Sequence, residues 1–362
     1  MAVQERRFGR AAGPTGGRRQ LAFMGPDMAV EERRFGRGGG PTGGGRLRAD
    51  SRGMERIAYD EFAYFRENAA EFGLPYEGPP VVRRESVGVG PGGRLSALVW
   101  GDAPPEIVLL HGGAQNAHTW DTVALALGRP LVAIDLPGHG HSDAGALAAA
   151  SSAGGPAVED IAADVAQAIR ALAPDAAGVV GMSLGGLTTL ALAHRAPELV
   201  RRAVLVDVLP TLDPRGAAAI AAFVRGPESF DSFDDLLART MAHNPTRSES
   251  SLRRGILHNA VQLDDGRWVW RYARHRDGRL VGEPSPEAGN RFEHLWEAVS
   301  ALTVPLMLVR GMAAGSVVGD DAEKELLARQ PTARVEHVEG AGHSVQGDRP
   351  VELAALIHSF IP

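Results

Sequence analysis

A serine in the stretch GVVGMSLGGL at 178–187 has the surroundings of an enzymatic nucleophile. Gly181 and Gly185 stand two residues before and after Ser183, between an apolar run and the start of a helical segment. A nucleophilic serine has to be held out on a sharp turn from strand to helix, where neighbouring side chains would clash, and glycines remove those clashes. The pattern predicts that Ser183 attacks the substrate, while the N–H of Leu184 faces a developing oxyanion from the positive end of the helix.

The general base that such a serine needs is predicted at His343, in VEGAGHSVQGDRP. This histidine follows the last predicted strand, and a loop at the carboxyl end of that strand brings it over the serine. His111, in IVLLHGGAQNAHTW, is predicted to tie down its own loop because His343 fits the role of base better. His139 and His141 are separated by one residue in DLPGHGHSD, but no third ligand stands at a suitable spacing. A structural use of this pair is therefore favoured over a metal site.

These residues need elements to position them, and from residue 81 onward apolar β-rich segments alternate with helical ones. That alternation is typical of an α/β fold with a mostly parallel sheet. The predicted strands are 81–89, 94–100, 106–110, 130–135, 177–181, 202–207, 304–310 and 333–338. Helices are expected at 55–72, 158–173 and 349–360. The predicted organisation is a lead-in helix and linker at 54–80, a core at 81–209 and 301–362, and a lid at 210–300.

Four short pieces occur in the order in which α/β-hydrolases carry them: HGG at 111–113, DLPGHGHS at 135–142, GMSLGG at 181–186 and GAGH at 340–343. Residues 81–362 resemble that family. The resemblance implies an eight-stranded, mostly parallel sheet flanked by helices, with a helical lid inserted. It also implies a cofactor-independent triad of Ser183, His343 and an acid. The second oxyanion donor would be the N–H of Gly113, with Ala114 as the neighbouring alternative.

The acid is not at its usual place in the family, three residues after the glycine that ends strand seven, because Ala314 stands there. The chain resembles a subgroup of small bacterial esterases that place the acid one strand earlier. The shared features are Asp207-Val208-Leu209-Pro210, a glycine loop that ends in SVV, and Asp265-Gly266-Arg267-Trp268 in the lid. This resemblance implies Asp207 as the acid, and Asp320 or Asp321, farther along the glycine loop, remain the alternatives.

The long insertion at 210–300 is too long for a simple loop, which favours a lid over the site. Trp268, Trp270 and Phe223 are its candidate substrate-contacting residues, and Trp296 is a further aromatic residue of the insertion. The expected reaction is hydrolysis of a carboxylic ester, thioester or lactone of a small molecule. The alternatives are C–C bond hydrolysis or acyl transfer on the same triad, and a ligand-binding protein of this fold with little turnover.

Composition limits the other classes of function. The chain has no cysteine, and its net charge of −6 gives no general reason to expect nucleic acid or an anionic membrane as a partner. No apolar run approaches the ~18 residues of a membrane-spanning helix. The first 53 residues contain 11 Arg and 13 Gly, and they repeat themselves at an offset of 27 residues, VQERRFGR returning as VEERRFGR. We expect 1–53 to be a disordered, duplicated leader and the protein to be cytoplasmic, since no apolar run follows Arg6-Arg7.

Overall fold

The fold is built on one large sheet. The computed structural model describes residues 56–90, 93–144, 158–272 and 292–362, so the predicted disordered leader at 1–53 lies outside the described residues. The sheet strands are β1 (Val82–Val89), β2 (Gly93–Trp100), β3 (Ile107–Leu110), β4 (Leu131–Ile134), β5 (Gly178–Met182), β6 (Ala203–Val206), β10 (Leu306–Gly311) and β11 (Arg334–Val338), and a small second sheet contains β7 (Ser229–Phe230), β8 (Ala260–Gln262) and β9 (Trp268–Trp270). All eight strands predicted from the sequence are present in the large sheet.

The large sheet has the order β1-β2-β4-β3-β5-β6-β10-β11. β2 pairs antiparallel with both of its neighbours, and the pairs from β4 to β11 are all parallel. The carboxyl ends of β5, β6, β10 and β11 therefore meet along one edge of the sheet, and this is where an open α/β sheet binds its ligands. This architecture confirms the predicted fold class.

Helices cover both faces of the sheet, and further helices belong to the inserted segment. They span Phe65–Glu71, Asp121–Leu127, Val158–Leu172, Leu184–Arg195, Pro214–Val224, Phe233–His243, Glu249–Asn259, Leu295–Ala301, Asp320–Arg329, Val345–Asp348 and Pro350–Phe360. Because successive side chains of a strand point to opposite faces, each buried strand feeds two cores. In β3, Val108 and Leu110 join the core beneath the helices 158–172 and 184–195, and Ile107 and Leu109 join the core on the other face. No helix among the described residues is both long and apolar enough to span a bilayer.

The lead-in helix is shorter than predicted, spanning Phe65–Glu71 instead of 55–72. Upstream of it, the carboxylate of Asp60 accepts a hydrogen bond from the N–H of Phe62, and the hydroxyl of Tyr59 lies 2.9 Å from Nδ1 of His258. An aspartate that bonds the backbone two residues on favours a turn, and the contact with His258 fixes that turn from outside the segment. Tertiary contacts thus outweigh local helix propensity at this point.

The inserted segment is less purely helical than expected. Its helices pack with the three-stranded sheet β7-β9-β8 around a separate apolar cluster that includes Phe233, Leu236, Ile256 and Trp268. The last helix of the predicted insertion, Leu295–Ala301, packs in the main core instead. Trp296 therefore belongs to the core and not to the lid.

Candidate active site

Ser183 lies on the turn between β5 and the helix Leu184–Arg195, in the strained conformation that its surroundings predict. Its φ of 50° and ψ of −119° place a non-glycine residue in a sparsely populated region. A Cβ on Gly181 would come within 2.2 Å of the carbonyl oxygen of Gly185, and a Cβ on Gly185 within 2.2 Å of that of Leu110. The backbone can therefore turn this sharply only with glycine at both positions.

His343 follows β11 and is held by Asp207, the residue directly after β6. Nδ1 of His343 lies 2.9 Å from Oδ2 of Asp207, whose side chain is fully buried. Since an ionised carboxylate only accepts hydrogen bonds, the proton is on Nδ1, and Nε2 is left as the acceptor. Ser183 and His343 line the same cavity. The imidazole is thus in the tautomer that a general base for serine requires.

The loop after β10 wraps around the carboxylate of Asp207 instead of supplying one. Oδ1 of Asp207 accepts hydrogen bonds from the N–H of Gly311 at 3.0 Å and from the hydroxyl of Ser316 at 2.6 Å. Oδ2 accepts a third from the N–H of Val317 at 3.0 Å. The segment that lacks an acid at Ala314 therefore donates three hydrogen bonds to the acid on the neighbouring strand.

Asp320 and Asp321 are not brought to His343. Both lie in the first turn of the helix Asp320–Arg329, where acidic residues complement the helix dipole. Asp320 pairs with Arg310 at 2.7 Å, and Asp321 pairs with Lys324 at 3.0 Å. Their side chains are 79% and 99% exposed, as expected for solvated surface pairs. Of the alternatives for the acid, only Asp207 lies at the imidazole.

The two predicted oxyanion donors have free N–H groups. Within the described ranges, no acceptor is recorded for the N–H of Gly113 or for that of Leu184, the first residue of its helix. The alternative, Ala114, donates its N–H to Nε2 of His139 at 3.1 Å, so this group is not available to a substrate. The loop has φ = 62° at Ala114, a conformation that turns its amides in different directions.

His111 and His139 hold in place the loop after β3, residues 111–116, which contains the predicted donor Gly113 and is called the oxyanion loop below. His111 donates from Nδ1 to the carbonyl of Gly112 and accepts at Nε2 from the N–H of Leu136. Complete burial, together with nearby His139, lowers the pKa of His111 to about 3, so the ring is neutral. His139 uses its second nitrogen on the carbonyl of Pro137. Both nitrogens of His139 thus have hydrogen-bond partners in the loops around the serine.

A cavity of about 590 Å³ opens over Ser183 and His343, beneath the inserted segment. Phe223 and Trp270 line it, together with apolar residues of the core that include Met182, Leu187 and Val208. Trp268 is outside this lining. It packs against Phe233 with ring centroids 5.1 Å apart, inside the apolar cluster of the insertion. Of the three aromatic residues predicted to contact substrate, two are placed to do so.

Comparison with known proteins places this site in a family. Residues 107–356 match the model of the alpha/beta hydrolase family. The chain belongs to the α/β hydrolase family. It is 42% identical over 314 residues to the esterase Rv0045c of Mycobacterium tuberculosis, covering 85% of this chain and 97% of that relative. The crystal structure of that esterase has a TM-score of 0.68 at 41% identity, over 84% of this chain and 99% of its own. A pimeloyl-[acyl-carrier protein] methyl ester esterase of Aromatoleum aromaticum is 30% identical, over 71% of this chain and 98% of its own.

Three further contacts attach other parts of this α/β hydrolase to the oxyanion loop and to the turn below it, and no sequence pattern indicated them. Asn259, at the end of a lid helix, donates to the carbonyl of Ala114 at 2.6 Å, and Asn116 donates to the side-chain oxygen of Asn259 at 3.2 Å. Below the loop, His118 lies 3.2 Å from Glu61 of the lead-in segment. Each contact joins residues more than 50 positions apart in the chain, which is why local sequence does not reveal it.

The group His118, Asp121 and His258 also has the composition of a metal site, with ligand atoms within 4.8 Å of one another. The two imidazoles are stacked, however, with centroids 3.9 Å apart and planes at 12°. Their in-plane lone pairs therefore run parallel, and an ion in the plane of one ring would lie out of the plane of the other. Nδ1 of His118 is instead 2.9 Å from Oδ2 of Asp121, and Nδ1 of His258 is 2.9 Å from the hydroxyl of Tyr59.

Proposed function

We propose that the protein is a serine hydrolase that cleaves a carboxylic ester of a small molecule through an acyl-enzyme. The observation that carries this proposal is the contact between His343 and Asp207 in a cavity that also exposes Ser183. A histidine held in this tautomer can take the proton of Ser183 at Nε2 while the serine attacks an ester carbonyl. The esterase names of the two relatives support ester hydrolysis, although they describe those proteins.

The proposed reaction has two halves. In the first, Oγ of Ser183 attacks the ester carbonyl while Nε2 of His343 takes its proton, and the oxyanion is bound by the N–H groups of Gly113 and Leu184. The tetrahedral intermediate collapses, the C–O bond to the alcohol breaks, and His343 returns the proton to the departing alkoxide. In the second half, water attacks the acyl-enzyme with His343 again as base, and the carboxylic acid leaves. Asp207 stabilises the imidazolium that forms in each half.

The site's shape supports a small, largely apolar acyl or alcohol group. A volume near 590 Å³ lies within the range of pockets that enclose small molecules, and Phe223 and Trp270 give it an aromatic wall. Thioesters and lactones have the same electrophile and remain within the proposed substrate class. Hydrolysis of a C–C bond would need the same serine and a different substrate.

The test is active-site labelling combined with turnover. A fluorophosphonate probe should label the wild-type protein and not Ser183→Ala, and 4-nitrophenyl butyrate should be hydrolysed only by the wild type. Parallel assays with a thioester, a lactone and a 1,5-diketone separate ester hydrolysis from thioester and C–C hydrolysis. Folded wild-type protein that neither reacts with the probe nor hydrolyses any of these substrates would refute the proposal and favour a non-catalytic ligand-binding role.

A further inference from the structure

An arginine of the lid faces the catalytic cavity without a carboxylate partner. Arg247 lies just before the helix Glu249–Asn259 and lines the cavity with Ser183 and His343. Its Nη2 donates to the hydroxyl of Ser251 at 2.7 Å. Nε is buried without a hydrogen-bond partner, and no carboxylate of the described residues lies within ion-pair distance of this guanidinium. A half-buried guanidinium that forms no ion pair and lines a binding cavity has hydrogen-bonding capacity left for a ligand.

Two carboxylates near Arg247, those of Glu71 and Asp348, form their hydrogen bonds with other groups. Glu71 and Asp348 both act on Arg247 through space. Glu71, however, forms its hydrogen bonds with Arg254 and Ser248, and Asp348 accepts from the N–H of Gly342 at 2.9 Å. Neither carboxylate therefore forms an ion pair with Arg247, although both lie close enough to act on its charge.

Arg254, in the helix that follows Arg247, gives an internal comparison. It is buried and lines the same cavity, but it is bound by Glu71 and by Asn68, the latter at 2.7 Å. Arg254 thus shows how this lid buries an arginine for structure, namely with a carboxylate partner, which Arg247 lacks. Burial lowers the pKa of Arg247, yet a guanidinium stays charged at any pH at which the protein is folded. Arg247 consequently presents a permanent positive charge to the cavity.

Space has been left for this guanidinium beside the catalytic histidine. A Cβ on Gly347 would lie 2.9 Å from Nη1 and 3.0 Å from Cζ of Arg247, so a larger residue at this position would displace the guanidinium. Gly347 belongs to the short helix Val345–Asp348, which begins two residues after His343. The positive charge thus lies in the same cavity as the catalytic serine and histidine.

We propose that Arg247 forms an anion subsite, so that the preferred ester carries a carboxylate or phosphate a few atoms from the bond that is cleaved. This proposal rests on the proposed esterase function and specifies its substrate class. A planar anion would complete the hydrogen bonds of the guanidinium, and the pairing would take place in a cavity partly closed to water, where charge pairs are strong. Specificity of this kind acts mainly on binding, because the anion is remote from the charge that develops in the transition state.

The test uses pairs of esters that differ only in charge. Monomethyl esters of dicarboxylic acids with four to nine carbons are compared with the methyl esters of the corresponding monoamides, which keep the shape and lose the charge. A second arm compares acetate esters of alcohols that carry a phosphate with acetate esters of neutral alcohols. The proteins are wild type, Arg247→Met, Arg247→Lys and, as matched control, Arg253→Met, which changes an exposed arginine of the following helix that stacks on Phe233.

We expect the wild type to prefer the charged ester of at least one arm by tenfold or more in kcat/KM. Arg247→Met should remove that preference through a rise in KM of about 10- to 100-fold, corresponding to the loss of a charge-assisted contact. Turnover of the neutral esters should stay within threefold. Arg247→Lys should keep part of the preference, and Arg253→Met all of it. The arm that shows the preference identifies whether the acyl chain or the alcohol carries the anion.

Two results overturn the anion subsite. One is a wild type that does not distinguish charged from neutral esters in either arm. The other is an Arg247→Met variant that loses both classes equally, which would make Arg247 a packing residue of the lid. In both cases the wild type is still labelled at Ser183 by the fluorophosphonate probe and still hydrolyses the neutral esters. Failure of the proposed function is different, since labelling and hydrolysis of every ester would then be absent from the wild type.

Discussion

Replacing Asp207 with asparagine is the change that most directly tests the site. The carboxylate accepts four hydrogen bonds, two on each oxygen, and an asparagine amide can accept on only one side. With its NH2 toward His343, the variant forces the proton onto Nε2, and the ring can no longer act as base. With its oxygen toward His343, the tautomer is kept, but the neutral amide does not stabilise the imidazolium.

Both orientations also leave a buried backbone donor without an acceptor. The first orphans the N–H of Val317 and the second that of Gly311, at a cost of about 1–3 kcal/mol in stability. We therefore expect Asp207→Asn to lower kcat/KM by about 100- to 10,000-fold, the range between loss of charge stabilisation and the wrong tautomer. The melting temperature should fall by several degrees at the same time.

The assay is hydrolysis of 4-nitrophenyl butyrate, with circular dichroism to establish that each variant is folded. The control is the double variant Asp320→Asn with Asp321→Asn, which removes the exposed carboxylates of the neighbouring loop and should retain activity within twofold. A third variant, Ser316→Ala, removes one neutral donor to Asp207 and should cost about tenfold or less. If the double variant lost most of its turnover while Asp207→Asn stayed active, the assignment of the acid would be wrong.

Three other predictions concern the groups around the triad. Gly185→Ala should lower the free energy of unfolding by at least about 1–3 kcal/mol and abolish turnover, because its Cβ meets the carbonyl of Leu110; thermal melts and the butyrate assay check this. Asn259→Ala should lower kcat/KM about tenfold by releasing the oxyanion loop from the lid, and unchanged turnover would contradict that role. Burial raises the pKa of Glu61, but hydrogen bonds from His118 and Arg84 lower it to about 2; burial lowers the pKa of His118, but Asp121 and Glu61 raise it to about 9. Charged His118 stabilises the folded state fully below about pH 6.5, and this stabilisation is lost as the pH rises through 9. The difference in melting temperature between wild type and Glu61→Gln should therefore be widest near pH 5–6.5 and should narrow by pH 10.

The parts of the fold that sequence predicts well are those whose physical cause is local. A buried parallel strand reads as a short apolar run, and for this reason β3, β5 and β6 lie within one or two residues of their predicted bounds. The turn at Ser183 is equally legible, because the clash at Gly181 and Gly185 involves backbone atoms of the turn or of the adjoining strand. The lead-in segment is the counter-example, since its Tyr59 is fixed by His258, almost 200 residues away. Trp268 and Trp296 show the same limit, because an aromatic residue looks alike in sequence whether it faces a cavity or a core.

The acid shows why a motif can be absent while its chemistry is kept. Catalysis needs a carboxylate on the Nδ1 side of His343, and it is indifferent to the strand that carries it. β6 and β10 are neighbours, so residues at their carboxyl ends face the same imidazole. With Ala314 in the usual position, the loop after β10 turns its donors, two of them backbone N–H groups, toward Asp207. Backbone donors leave no trace in a sequence, and Ser316 is the one side chain of that loop whose identity hints at the arrangement. The acid therefore follows β6 and its donors come from the end of β10 and the loop after it, and this arrangement still gives Nδ1 of His343 its carboxylate.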